Sequence, residues 1–394
     1  MGETVLVVDD TPVNQKLLSS ILRRSGHGVE VAADGIQALA AVAASPPDLI
    51  LLDVMMPGKD GFTVCAELKA DPATADIPII FLSAMGEVAD KVKGLELGAA
   101  DYIAKPFDSA EVLARTNTQL RLRRLNQSLV RANQDLKAKQ LLLEEDLRAA
   151  ADVQRALIPQ VSPRVRHLAV SWVFEPCSSI GGDIFNVVSL DDRHVGIYML
   201  DVSGHGVPPA MVSVLASQSL TPNAGIVVRS PEGSAPLLIS TPEEVLRALD
   251  REYPIDRFER FFTISYLVLE VETGRLTYSS AGHPPPVLLP RRGGLRLLEE
   301  GGGIIGVGDP VIDMGEVQLE KGDRVFLYTD GITEYEDGEG GLYGPRLHEL
   351  LQATRGLELP DVCERLRQSL RDFGRGTAPN DDVSLLAFEY LGKD

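Results

Sequence analysis

Short apolar runs alternate with amphipathic stretches through residues 1–118, and an acid, a hydroxyl or a lysine closes four of the runs. Val5-Leu6-Val7-Val8 ends at Asp9-Asp10, and Leu49-Ile50-Leu51-Leu52 ends at Asp53. Ile77-Pro78-Ile79-Ile80-Phe81-Leu82 ends at Ser83, and Asp101-Tyr102-Ile103-Ala104 ends at Lys105. Apolar runs without alternation suit strands covered on both faces, so the pattern predicts a doubly wound parallel sheet of the α/β class. Ligands of such sheets bind outside the carboxyl ends of the strands, which is where the closing residues converge.

From Leu120 to about Ile158 glycine disappears and the next proline is Pro159, so this stretch predicts one helix. Leu122, Leu129, Leu136, Leu143, Ala150 and Leu157 recur at heptad spacing, with Leu125, Ala132 and Val153 between them. Lys139 and Asp146 interrupt that seam. A parallel two-stranded coiled coil and an amphipathic helix lying on its own chain both fit. From residue 159 onward β-like segments dominate, among them Val195 to Leu200, Phe261 to Leu269 and Arg324 to Tyr328. Helical patterns at Pro209 to Ser219, Thr241 to Glu252 and Leu359 to Phe373 predict an α+β sandwich. Thr221 to Thr241, rich in Gly, Pro and Ser, reads as a mobile loop. The expected domains are therefore 1–118, 119–158 and 159–394.

Length and composition agree with this division. A chain of 394 residues has room for two or three cores, and 44% apolar residues with 36 Gly and 25 Pro is a globular composition. A net charge of -19 argues against a nucleic-acid surface, which needs clustered Lys and Arg. No apolar run approaches the roughly 20 residues that cross a bilayer, so no membrane and a cytoplasmic location are expected. Cys65, Cys177 and Cys363 lack metal-ligand spacing and read as small buried hydrophobes.

Three carboxylates gathered at one sheet edge repel one another unless a cation lies among them, and hard oxygen donors suit Mg2+. Asp9, Asp10 and Asp53 then make a phosphoryl-transfer site, with Asp53 as nucleophile and Lys105 as a fixed positive charge. The segment Leu52-Asp53-Val54-Met55-Met56-Pro57-Gly58-Lys59-Asp60-Gly61 resembles the phosphorylation loop of response-regulator receivers. That resemblance implies a five-stranded flavodoxin-like fold, the Met55 carbonyl as a metal ligand and Ser83 as the switch hydroxyl. It further implies Tyr102 as the switch aromatic, a cis peptide at Lys105-Pro106, and a histidine kinase or phosphotransfer protein as partner.

The second half carries Gly181-Gly182-Asp183, Asp201-Val202-Ser203-Gly204-His205-Gly206, Thr329-Asp330-Gly331 and Asp381-Asp382. Clustered aspartates without a Cys or His nucleophile offer metal-assisted hydrolysis, in which two hard cations acidify a water and clamp the phosphoryl oxygens. The ordered set, with Ala281-Gly282-His283-Pro284-Pro285-Pro286 and Gly331-Ile332-Thr333-Glu334, resembles PPM-type serine/threonine phosphatases of the SpoIIE kind. The resemblance implies two Mn2+ or Mg2+ ions, with Asp201 bridging them and the Val202 carbonyl on one. Asp330 and Asp381 would hold the other, and Asp183 would act on the first metal or its waters. His205 and His283 suggest either a general acid or a structural histidine. Asn186 stands where this family commonly has a second Asp, which bears on a peripheral metal or water contact.

Two functions follow from the resemblances. One is an enzyme whose phosphorylated protein substrate is an anti-sigma-factor antagonist. The other is an adaptor similar to RssB-type regulators, which binds a stress sigma factor and directs it to proteolysis. Either would form a homodimer through the connector.

Overall fold

The computed structural model describes residues 3–84, 88–159, 165, 167–177, 180–229, 238–308 and 311–393. They fall into two compact units, Met1–Gln140 and Leu141–Asp394.

The first unit runs β1 (Thr4–Val8), α1 (Pro12–Arg24), β2 (Gly28–Ala32), α2 (Gly35–Ala44), β3 (Leu49–Asp53), α3 (Gly61–Ala70), β4 (Ile79–Ala84), α4 (Val88–Glu96) and β5 (Asp101–Lys105). Its sheet is entirely parallel in the order β2-β1-β3-β4-β5, the receiver fold. Successive residues of β1 serve opposite cores: Leu6 and Val8 pack with α2 and α3, while Val5 and Val7 pack with α1 and the start of the next helix. This two-sided burial is the reason the strand shows no polar alternation.

Helix α5 (Ser109–Leu157) is a single helix of 49 residues that starts at Ser109, not at Leu120. Asp108 caps it by accepting the Glu111 N–H at 2.9 Å. Leu122, Leu125, Leu129, Leu136 and Leu143 are exposed, whereas Ala151, Gln154 and Ile158 at the far end are buried. Gln154 and Ile158 do so in the second unit, against the Gly181 turn and the sandwich core. The seam thus divides into an uncovered stretch and a packed end.

In the second unit follow β6 (Leu168–Glu175), β7 (Ile184–Ser189), β8 (His194–Val202), α6 (Val207–Ser219), β9 (Val228–Arg229), β10 (Leu238–Ile239), α7 (Pro242–Glu252) and α8 (Ile255–Phe258). Then come β11 (Phe262–Glu270), β12 (Arg275–Ala281), β13 (Val287–Leu289), β14 (Arg296–Leu297), β15 (Gly301–Gly302), β16 (Gly315–Gln318) and β17 (Arg324–Tyr328). The chain ends with α9 (Asp330–Thr333), α10 (Gly344–Ala353), α11 (Leu359–Gly374) and β18 (Val383–Tyr390). One sheet is ordered β15-β12-β11-β8-β7, with β16 also on β12, and the other β14-β13-β17-β18-β6.

The inner faces of the two sheets share one core, as the alternation in β18 illustrates. Leu386, Phe388 and Tyr390 enter it, while Val383, Leu385 and Ala387 point to a second core under α10 and α11. Each large apolar side chain so buried contributes about 1.5–3 kcal/mol relative to exposure. A capping box starts α7, Thr241 accepting from the Glu244 N–H and Glu244 from the Thr241 N–H. Of the loop expected at 221–241, a short 3-10 turn at Pro222–Ala224 and the small β9–β10 pair are ordered. Residues 230–237 lie outside the described residues.

Candidate functional site

Chemistry-bearing residues of the first unit sit at strand ends, as the run-closing pattern requires. Asp9 is wholly buried and accepts from the Thr11 N–H at 2.9 Å and Asn14 Nδ2 at 3.0 Å. Lys105 Nζ donates to Asp9 Oδ2 at 2.9 Å and to Asp53 Oδ2 at 2.6 Å. The Met55 N–H reaches Asp53 Oδ1 at 3.3 Å, which sets the Met55 backbone against the acid. Asp9, Asp10 and Asp53 each place a carboxylate oxygen within 4.8 Å of the others.

Burial, followed by the Asp9 charge, raises the Asp53 carboxyl above its ordinary range even though Lys105 opposes the shift. Burial also works against the Lys105 charge, but Asp53 and Asp9 outweigh it and hold the ammonium above the usual lysine value. One lysine against three acids leaves the site short of positive charge, and hard oxygen donors at this spacing fit Mg2+. Ser83 Oγ is buried and has no hydrogen-bond partner among the described residues. Tyr102 lies under the Arg115 guanidinium, 5.3 Å from the ring centroid, and the Lys105-Pro106 peptide is cis, as expected.

In the second unit the two sheets deliver acids to one place. Asp201 is the penultimate residue of β8, Asp183 precedes β7, Asp330 opens α9 one residue after β17, and Asp381 lies two residues before β18. Asp201 is pushed up to about 7, by burial first and then by the charges of Asp330, Asp381 and Asp382. Asp183 is raised well above the carboxylate range by burial, then by Asp201 and Asp382. Desolvation followed by neighbouring acids lifts Asp330 and Asp381 in the same sense. Mutual repulsion of this kind is what a cation relieves.

Backbone oxygens join the carboxylates. A Cβ on Gly182 would stand 2.6 Å from the Val202 carbonyl oxygen and 3.4 Å from Asp201 Oδ1, so only glycine lets these oxygens approach. The carboxylates and the Val202 carbonyl are hard oxygen donors crowded by like charge, which fits hard divalent cations, and the Cys177 thiol lies within 4.8 Å of Asp381 and Asp382 oxygens.

Sequence reasoning gave no role to Asp382, Thr329 or Ser384, which hold this centre together. Asp382 is buried and accepts the Cys177 N–H on Oδ1 at 2.9 Å and the Asp183 N–H on Oδ2 at 3.3 Å. A side chain on Gly331 would collide with the Asp382 carbonyl. Thr329 and Ser384 both donate to Asp183 Oδ2. Cys177 is half-buried instead of buried, and its thiol is pushed up to about 12 by burial and then by Asp382, so it stays protonated near neutral pH.

His283 bonds Thr263 Oγ1 through Nδ1 at 2.8 Å, and burial pushes it down to about 3. A ring that stays neutral near pH 7 has no proton to give as an acid, which favours the structural role. Asn186 donates to the Leu157 carbonyl at 3.1 Å and accepts from the Val187 N–H. The carbonyl it donates to belongs to the end of α5, and a carboxylate could not make that donation.

Two family models match the chain. The response regulator receiver domain model matches residues 5–117, and the Stage II sporulation protein E (SpoIIE) model matches residues 191–391. The DNA-binding dual master transcriptional regulator RpaA of Synechocystis sp. is 47% identical over 117 residues, which are 30% of this chain and 48% of that protein. Response regulator PleD of Caulobacter vibrioides is 46% identical over 123 residues, 31% of this chain and 27% of that protein. The chain thus spans about half or less of the curated relatives it matches. The SiaA-PP2C domain of Pseudomonas aeruginosa shares the fold of the second unit, with a TM-score of 0.55 and 22% identity over 64% of this chain and 99% of that one. By the match across half its length and the acid centre built there, the chain belongs to the SpoIIE family, with a response-regulator receiver domain at its N-terminal end.

Proposed function

We propose that the chain is a two-component response regulator whose output is metal-dependent dephosphorylation of a phosphoserine or phosphothreonine protein. The observation that carries this reading is the convergence of Asp201, Asp330 and Asp381 with the Val202 carbonyl in a site whose carboxyls are held above their usual range. Asp201, Asp183 and the Val202 carbonyl would hold one Mn2+ or Mg2+, and Asp201, Asp330 and Asp381 the other. When bound, the ions supply positive charge that acidifies water and neutralises the phosphoryl oxygens. Asp382 fixes the Asp183 backbone, and Thr329 and Ser384 orient the Asp183 carboxylate toward that task. In the receiver, Asp9, Asp10, Asp53 and the Met55 carbonyl would hold Mg2+. Asp53 would accept the phosphoryl group from a kinase or phosphotransfer protein, with Lys105 beside it and Ser83 free to bond it.

An anti-sigma-factor antagonist is the proposed substrate class, on the strength of the family resemblance. The test is phosphate release from a phosphoserine protein of that class with Mn2+ or Mg2+, with and without chelator. Metal-stimulated turnover supports the enzyme; its complete absence would transfer the assignment to the adaptor.

Metal removal has a pH signature. An aspartate whose folded value is about 7 against 3.8 unfolded is penalised once it ionises. The fold then keeps its full stability below pH 4 with respect to this group and loses it as pH rises toward 7. In chelator the melting temperature of the second unit is expected to fall between pH 5 and pH 7.5. Mn2+ should restore more stability at the higher pH, and a slope that metal does not change would contradict the site.

The exposed leucines of α5 fit a second copy of the chain. Lys139 and Asp146 weaken the seam, and a weak seam is more readily switched than a strong one. Replacing Leu129 and Leu136 with polar residues is expected to lower the mass measured by light scattering. The phosphatase rate should then become insensitive to Asp53 phosphorylation. Unchanged mass and unchanged coupling would show that the helix acts as a tether.

A further inference from the structure

At the end of the sandwich away from the acid centre, the β13–β14 turn and the loop before β17 enclose a concavity of about 480 Å³. Arg291, Arg292, Arg296 and Lys321 line it over a floor that includes Leu288 and Val317. Three arginines meeting on one pocket stand out in a chain of net charge -19. None of the three arginine side chains is ion-paired among the described residues. The arginines outnumber the two acids of the lining. Asp323 accepts the N–H groups of Arg291 and Glu320, at 2.7 and 2.9 Å.

The turn that bears the arginines is also fixed in place. Arg355 donates to the Gly293 carbonyl at 2.7 Å on one side, and Asp323 holds Arg291 N–H on the other. Arg324, next in the chain to Asp323, is buried and leaves Nη1 without a partner among the described residues. Since Leu289 pairs with Arg324 and Asp330 lies beyond the other end of β17, the pocket is roughly 20 Å from the metal acids at about 3.3 Å per residue. It cannot be a subsite of that centre.

We propose that this pocket is a separate anion site that takes a small ligand bearing two or more phosphate groups. Guanidinium forks match phosphate oxygens in pairs, and Val317, only partly buried, offers a small apolar surface beside them. Its concavity and size are those of a small-molecule pocket, whereas an acidic protein partner would need a broader, flatter surface.

Inorganic tripolyphosphate is the probe, titrated calorimetrically into the full chain in chelator, so that neither metal centre contributes. The wild-type protein is expected to show saturable binding that weakens with salt. The Arg291→Gln/Arg292→Gln double variant should lose at least about tenfold in affinity, and Arg296→Gln should weaken it separately. Asp330→Asn should bind as wild type does. Melting curves of the variants establish that they fold. Absence of saturable binding up to about 1 mM, or equal affinity in all the arginine variants, would overturn the assignment. Displacement of tripolyphosphate by an equal concentration of a Glu-rich decapeptide would overturn it in favour of an acidic protein partner.

Discussion

Asp330→Asn is expected to reduce metal-dependent phosphate release at least about a hundredfold, which is about 2.7 kcal/mol of transition-state stabilisation. Asp330 opens α9 just after β17, close enough for its charge to raise the carboxyls of Asp201 and Asp381. The amide keeps the shape and removes the negative charge that would hold the second cation, so the loss should appear in rate without loss of fold. Excess Mn2+ should recover part of it if weakened binding is the cause. Turnover within a few-fold of wild type under saturating metal would remove Asp330 from the centre and, with it, the two-cation reading.

Asp53→Asn is expected to bring phosphoryl uptake from a small phosphodonor with Mg2+ down to background. Asp53 is buried at the end of β3, its Oδ2 against Lys105 and its Oδ1 against the Met55 N–H. Asp9 and Asp10 share the pocket, but Asp9 Oδ1 is committed to Thr11 and Asn14 and Asp10 is exposed. Neither can replace the nucleophile in this geometry. The readout is base-labile phosphate on the intact protein, and equal incorporation by the variant would refute the assignment.

Much of the receiver could be read from the chain because its chemistry is local to strand ends. Each of Asp9, Asp53, Ser83 and Lys105 closes an apolar run, so periodicity and chemistry point to the same places. Strand β2 gave no such signal. It is an edge strand with Glu30 and Val31 exposed, and Gly28 to Ala32 carries no closing group. The start of α5 was also hidden, since the helix that covers the receiver sheet and the connector are one uninterrupted element with no glycine or proline between them.

In the second unit the motif acids were legible, whereas their supports were not. Thr329 and Ser384 look like ordinary strand-end residues until Asp183 is brought to them from nearly the other end of the unit. Asn186 reads as a damaged ligand in sequence, yet in space its amide serves the Leu157 carbonyl. Pairings of this separation leave no periodic trace, because only the tertiary fold brings the partners together.

Asp382 has one more consequence, for the order in which the molecule is made. Its two carboxylate oxygens receive N–H groups 205 and 199 residues earlier in the chain, and β18, which follows it, lies between β17 and β6. A nascent polypeptide therefore exposes Asp183 and Asp201 long before the residues that organise them have been synthesised. The receiver, whose pairings close within the first part of the chain, can fold during that interval. The acid centre is completed only after Asp382 and β18 have been made, so an abortive product that stops short of Asp381 could carry a folded receiver and no assembled acid centre.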